Sequence, residues 1–299
     1  MKHVLVTGAG GYLGGSLVEK LLAEGYTVTA LTSSPEKLKK RFPNVNALGR
    51  DEISSELIRK ECIDAVVHCA FARRYRPEQE IAESIVYSNR VFFAAAAAKV
   101  SAIVNISSQG VYGMAKEIRT EQTPPAPTMA YTMAKYASEL LLENVCATIG
   151  AQTCYTNIRL DSIAENQQIT AAFVKQAMEK QQINIVGGKQ IFSFLSGRDF
   201  APAIFALLKT DPKKWEKCYN VGWKNRRYLI TQLAEAAVEA AKKFTKKQVI
   251  VHLEPRDVEL YTGMDSSKFM ELTGWVPQYN MVDIFTAMFE DYVRQNKTF

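Results

Sequence analysis

TGAGGYLG, residues 7–14, follows the strand-like run HVLVT and precedes an amphipathic pattern that predicts a helix over about 12–24. Of its four glycines, Gly8, Gly11 and Gly14 make a G-x-x-G-x-x-G spacing. Glycine lets the backbone turn tightly and approach a pyrophosphate, whose charge the helix N-terminus then stabilises. In the order strand, glycine turn, helix, this spacing predicts dinucleotide binding.

Outward from that loop the alternation continues. YTVTALT, NALG, DAVVHCA, AIVNISS and CYTNIRL read as strands. Helical patterns fall between them from about 35, near 54, through about 99, and over 131–148. Such βα repetition predicts an α/β fold, a Rossmann-like doubly wound parallel sheet covered on both faces. After about Arg159 the pattern becomes irregular, with short strands INIVG, KCYNVG and QVIVHLE among helices at 168–180, 200–208 and 230–243. The expected division is a dinucleotide-binding domain over 1–158 and a smaller C-terminal substrate lobe over 159–299, with segments near 190–222 returning to the first domain.

The second strand bears on the choice of cofactor. An acid at its tip would bond the ribose diol of NAD. Thr32 stands there instead, followed by Ser33 and Ser34, with Lys37 one turn on and no arginine in place to clamp a 2′-phosphate. Without a carboxylate to repel that phosphate, NADP(H) is favoured over NAD(H).

Composition narrows the classes. Hydrophobic residues make up 47% of the 299 and charged residues 23%, as in ordinary soluble globular chains. The net charge of +6 is dispersed; its densest run, EKLKKRF, reads as a helix's polar face, so nucleic acid is not expected as a partner. No apolar run approaches a membrane span, and no signal peptide is read at the start. Five scattered cysteines without a C-x-x-C pair suit reduced thiols and a cytoplasmic location. Three distant histidines show no metal-ligand spacing, and no metal is expected.

YTMAK, residues 131–135, places a phenol and an ammonium on one helix face. Together with the glycine loop and SSQGVYG (107–113), this order resembles the extended short-chain dehydrogenase/reductase family, the group of NAD-dependent epimerases and dehydratases. DAVVHCA, YSN (87–89), YNVG (219–222), MDSSK (264–268) and TGWVP (273–277) are similar to further landmarks of that family. The resemblance covers nearly the whole chain. It implies Tyr131 as acid/base, Lys135 lowering the phenol pKa and holding the cofactor ribose, and Ser108 bonding the substrate oxygen, with Ser107 structural. It implies cofactor contacts from Gly8, Gly11, Tyr12, Leu13, Gly14, Thr32, Ser33, Asp51, Ala70, Asn89, Tyr131 and Lys135. It also implies a homodimer paired through the helix at about 78–99 and the one at 131–148.

The sequence departs from the family in its substrate half. Gln109 and Gly110 stand where the 4,6-dehydratase branch carries an acidic pair, so that elimination is not expected. Of the residues that grip a nucleotide-sugar diphosphate, the asparagine position falls on Ser162 and the two arginine positions on Phe192 and Glu254. Arg198 and Arg256 lie close by in sequence. Arg73, Arg74 and Arg76 in AFARRYRPEQE either receive an anion at the substrate mouth or form a solvated loop. The candidate substrate residues are therefore Arg73, Arg74, Gln109, Ser162, Phe192 and Arg256. The leading expectation is an NAD(P)-dependent oxidoreductase or epimerase acting on a sugar-like secondary alcohol or ketone. The alternatives are a nucleotide-sugar 4-epimerase and a non-catalytic NAD(P)-binding regulator.

Overall fold

The computed structural model describes residues 1–296. The strands β1 (His3–Thr7), β2 (Thr27–Thr32), β3 (Asn46–Gly49), β4 (Ala65–His68), β5 (Ala102–Ser108) and β6 (Cys154–Leu160) form one parallel sheet. It is completed by β9 (Cys218–Val221), in the order β3-β2-β1-β4-β5-β6-β9. Successive side chains of a strand face opposite sides. Accordingly Val4 and Val6 pack on one face of the sheet and Leu5 on the other. Helices α1 (Tyr12–Ala23), α2 (Pro35–Arg41) and α7 (Gly197–Leu208) cover the first face. Helices α3 (Ser55–Lys60), α4 (Glu78–Ala97) and α5 (Ala130–Thr148) cover the second. A sheet buried on both sides needs near-continuous apolar strands, and AVVH and AIVNIS supply them.

The chain leaves β1 toward β2 and β3, then returns to β4 on the other side of β1. The strand order reverses between β1 and β4, and a crevice opens there beyond the strand ends.

The second lobe has its own core. Helices α6 (Gln168–Lys180), α8 (Ile230–Ala241) and α10 (Met281–Asn296) pack around Phe173, Ile183, Leu233, Phe285 and Phe289. Two small sheets flank it. One is β7 (Gln182–Gly187) parallel to β11 (Ile250–Pro255). The other is β8 (Ile191–Phe192) antiparallel to β10 (Tyr228–Leu229). The short α9 (Ser267–Thr273) packs under β9 through Phe269. No helix among the described residues is long and apolar enough to cross a membrane.

Candidate functional site

The glycine loop is built for close approach. Gly8 sits at φ +67°, and a Cβ there would lie 2.8 Å from the backbone of Ala70 at the end of β4. A Cβ at Gly14 would drive into the Gly8 carbonyl. Larger side chains at these two positions would push the loop off the strand end. His68 pins the arrangement from below. Its Nδ1 meets the Thr7 hydroxyl at 2.8 Å and its Nε2 meets the Ser88 hydroxyl at 2.8 Å. Thr7 in turn accepts the Ala70 N–H at 3.2 Å. Burial pushes the imidazole down to about 3, so His68 is neutral across the physiological range.

Beyond this loop lies a cleft of ≈ 600 Å³. Gly8, Gly11, Thr32, Ser33 and Ala70 line it, as do Cys69, Phe71, Ser84, Lys37, Arg41 and Arg50. A glycine cradle closed to any Cβ, a helix N-terminus and a cleft of this size fit a dinucleotide.

Other residues expected at the cofactor are placed elsewhere. Tyr12 packs against Gly197 at the start of α7, Leu13 joins the core, and Gly14 lies behind the loop. The Asp51 carboxylate is exposed and pairs with Arg90 at 3.3 Å. Asn89 is exposed and lines a separate groove with Ile53, Ser54 and Phe93. From α4 the residues that reach the cleft are Glu80, Glu83, Ser84 and Tyr87, and Ser84 accepts the Ala72 N–H at 2.9 Å. Adjacent helical residues point about 100° apart, so a position fixed by motif alone can fall on the wrong face.

At the other end, Ser108 ends β5 and its hydroxyl accepts the Gly110 N–H at 3.1 Å. Lys135 is buried; its ammonium donates to the Ile106 carbonyl at 2.7 Å and lies 3.9 Å from the centre of the Phe71 ring. Phe71 also meets Tyr131 edge-on, centroids 6.0 Å apart. Burial lowers Lys135 to about 7 against the opposing pull of Cys69 and Glu139. It pushes the Tyr131 phenol up to about 12, and the cation that opposes this is Arg74. The ammonium also lies 6.0 Å from the centre of the Tyr131 ring, while a backbone carbonyl and the Phe71 face engage it directly. Ser107 bonds Glu139, which forms a buried pair with Arg159 at 2.7 Å. Arg159 also donates to the Tyr112 hydroxyl at 3.0 Å, and Tyr112 donates to Asn220 at 2.7 Å. This network ties β5, α5, β6 and β9 together beneath Ser108.

The substrate-side candidates scatter. The Gln109 amide is fully engaged: it donates to Asp161 and to the Ser162 hydroxyl (3.0 Å) and accepts the Gly263 N–H (3.3 Å). Sequence reasoning passed over Asp161. Its carboxyl, raised to about 6 by burial, also accepts from the Ser162 backbone (2.7 Å) and from Ser193. Phe192 stacks on Phe194 at 5.5 Å in β8. Arg73 and Arg74 are exposed, and Arg74 covers the Tyr75 ring. Arg256, just after β11, is exposed and pairs with Glu254 of that strand at 2.8 Å. Arg198 lies over Tyr279 and donates to the Asp283 carbonyl at 3.1 Å. Among the described residues no group of three or more His, Cys, Asp or Glu is placed to hold a metal ion.

The model of the NAD dependent epimerase/dehydratase family matches residues 4–222. The chain belongs to this family. A relative named putative UDP-glucose 4-epimerase, from Methanocaldococcus jannaschii, is 23% identical over 93% of this chain and 94% of its own. Among solved structures, a UDP-glucose 4-epimerase from Thermotoga maritima with UDP-glucose superposes with a TM-score of 0.79 at 20% identity, covering 98% of this chain and 99% of that one. TunA, an NAD dependent NDP-hexosamine 5,6-dehydratase of tunicamycin biosynthesis, superposes at 0.80 with 16% identity over 98% of both chains. At these identities the structural likenesses carry the fold.

Proposed function

We propose that the chain is an NAD(P)-dependent oxidoreductase or epimerase that acts at a secondary alcohol or ketone of a sugar-like substrate, with Tyr131 as acid/base. The observation that carries this reading is the meeting of Tyr131 and Lys135 on Phe71, a wall of the cleft, with Lys135 tied to Ile106 two residues before Ser108. When bound, the nicotinamide cofactor supplies the hydride acceptor or donor. Ser108 Oγ holds the substrate oxygen, and Tyr131 Oη takes or returns its proton. Lys135 holds the cofactor ribose and, once it turns toward the phenol, stabilises the phenolate.

Gln109 and Gly110 in place of an acidic pair support hydride chemistry without elimination of water. Ser162, Phe192 and Glu254 at the diphosphate-gripping positions support a substrate smaller than a nucleotide sugar. The nucleotide-sugar 4-epimerase reading rests on the relatives' names. Cofactor retained through purification, with hydride returned to the same substrate, would select an epimerase. Freely exchanged cofactor would select a reductase or dehydrogenase. Cofactor binding without hydride transfer to any of a broad panel of alcohols and ketones would overturn the enzyme reading in favour of a regulator.

We also propose a cytoplasmic homodimer. Helices α4 and α5 pack side by side and expose Val86 and Phe93 on one, Met133 and Leu140 on the other. Each pair is two helical turns apart and shares a face. Light scattering at micromolar concentration should give twice the chain mass; a monomer would refute the pairing.

A further inference from the structure

Sequence spacing shows only Lys37 near the tip of β2. The fold brings two arginines to the same place. Thr32 pairs in register with Gly49 on the neighbouring strand β3, so Arg50, the next residue, stands beside the β2 tip. Arg41 reaches back from the end of α2 until its Nη1 lies 2.9 Å from where a Cβ on Gly15 would be. Arg50, Arg41 and Lys37 line one cleft with Thr32, Ser33 and Ser34.

We propose that this end of the cleft is a 2′-phosphate site, through which the chain selects NADP(H) over NAD(H). The proposal rests on the dinucleotide reading above and adds the residues that choose between the two forms. Arg50 and Arg41 are the specificity-determining pair, with Lys37 as a third charge. The tip of β2 is where the adenosine ribose of a dinucleotide lies, and a carboxylate there would bond its free 2′-hydroxyl. Here the tip offers Thr32, whose hydroxyl accepts the Ser34 N–H at 3.3 Å. Guanidinium groups suit a phosphate because they present paired donors.

Neither arginine is held by a buried carboxylate; Arg41 lies over the Phe42 ring at 4.7 Å and Arg50 over the Tyr87 ring at 4.9 Å, contacts that leave their N–H donors open to a phosphate. Arg41 lies 3.4 Å from Glu19 and Arg50 4.0 Å from Asp51. Both pairs are long and exposed, a class that contributes little. Lys37 is exposed and has no carboxylate partner among the described residues. The cleft also has two carboxylates, Glu80 and Glu83, both on α4; Glu80 is neutralised by Arg76 at 2.8 Å.

The test uses the full chain and calorimetric titration with NADPH, NADH, and the nicotinamide-free probes 2′-phospho-ADP-ribose and ADP-ribose. The phosphorylated member of each pair should bind at least about tenfold tighter, as one or two charge-assisted bonds allow. Arg50→Gln and Arg41→Gln should each weaken the phosphorylated probe by about tenfold and leave ADP-ribose unchanged. These side chains are exposed, so the variants should fold. Equal affinity within each pair would overturn the phosphate site and leave the dinucleotide reading standing. A phosphate preference that survives the triple Arg50→Gln, Arg41→Gln, Lys37→Gln variant would overturn the residue assignment. Failure of all four probes to bind would overturn both readings.

Discussion

Arg159 and Arg256 are each paired with a glutamate, one beneath the sheet and one on the rim of the second lobe. The Arg159–Glu139 side chains are 7% and 5% exposed, and they share their atoms with Ser107, Tyr112 and, through it, Asn220. The Arg256–Glu254 side chains are 62% and 52% exposed and bond only to a neighbour two residues away, at the end of β11. The first half of the molecule holds its polar groups in buried networks that fix where the site residues stand. The rim of the second lobe leaves its charges in water. The same residue types are structural cement in one region and solvated surface in the other, because burial sets what an unpaired charge costs.

The largest effect should come from the site that the buried region positions. Tyr131→Phe removes one oxygen and little packing, so fold and cofactor binding should survive. The chemical step should slow by about 10²–10⁴-fold, the usual worth of positioned acid–base catalysis. Single-turnover hydride transfer would measure it; a near-normal rate would end the Tyr131 assignment. Lys135→Met should lower cofactor affinity and turnover together. It should also move the alkaline limb of the residual rate upward, since the phenol would ionise less readily.

Glu139→Ala should come next. It leaves the Arg159 guanidinium buried without its carboxylate and strips Ser107 of its acceptor. A loss of about 3–5 kcal/mol is expected in the denaturant-unfolding free energy. A loss under about 1 kcal/mol would mean that the network is looser than its geometry implies.

His68 gives the same region a pH signature. Its folded pKa is depressed to about 3 against an ordinary 6.5. Above that ordinary value both states are neutral and the contribution is complete. As pH falls below about 6.5 the unfolded chain takes up a proton that the native imidazole refuses. Stability should then fall by about 1.4 kcal/mol per pH unit until the native group titrates. Asp161 works in the opposite direction. Raised to about 6, it is protonated in the native state before the unfolded carboxyl is, so it adds stability as pH falls from about 6 toward 3.8. Urea titrations at stepped pH on the parent and on His68→Gln would separate them, the variant losing the downward slope.

What the sequence makes legible follows the same divide. The parallel sheet, its helices and the glycine loop are written in local periodicity and turn chemistry, and nearly every strand of the first half begins and ends close to where its pattern does. In the second lobe β8 and β10 have two residues each, too short for any period, and α10 carried no signature that sequence reasoning picked up. The site shows a finer version of this. Gly8 and Gly11 are legible because backbone conformation is a local property. Arg50 at the cleft is not, because its place beside Thr32 depends on which strand neighbours which. The place of Asn89 is illegible for a related reason: which face of α4 meets the cleft is set by packing, with Ser88 bonded to His68, Ser84 lining the cleft and Asn89 in a separate groove.

The smallest expected effect is the sharpest check on the contrast between the two regions. Arg256 is a substrate candidate by sequence, two places from Glu254, the position at which the family resemblance leads one to expect a diphosphate-gripping arginine. Just past the end of β11 its guanidinium turns back to Glu254, and all six residues of that strand are exposed. Removing an exposed pair of this kind changes stability by about 0.5 kcal/mol or less. Were Arg256 instead to hold a substrate phosphate, a charge-assisted bond of about 1.5–3 kcal/mol would be lost, roughly a tenfold or greater rise in KM at constant kcat. Arg256→Ala assayed on an authentic substrate divides these outcomes cleanly. An unchanged KM keeps the rim of the second lobe as solvated surface. A tenfold rise would require Arg256 to leave Glu254 and turn inward when substrate binds, and the second lobe would then have a phosphate grip after all.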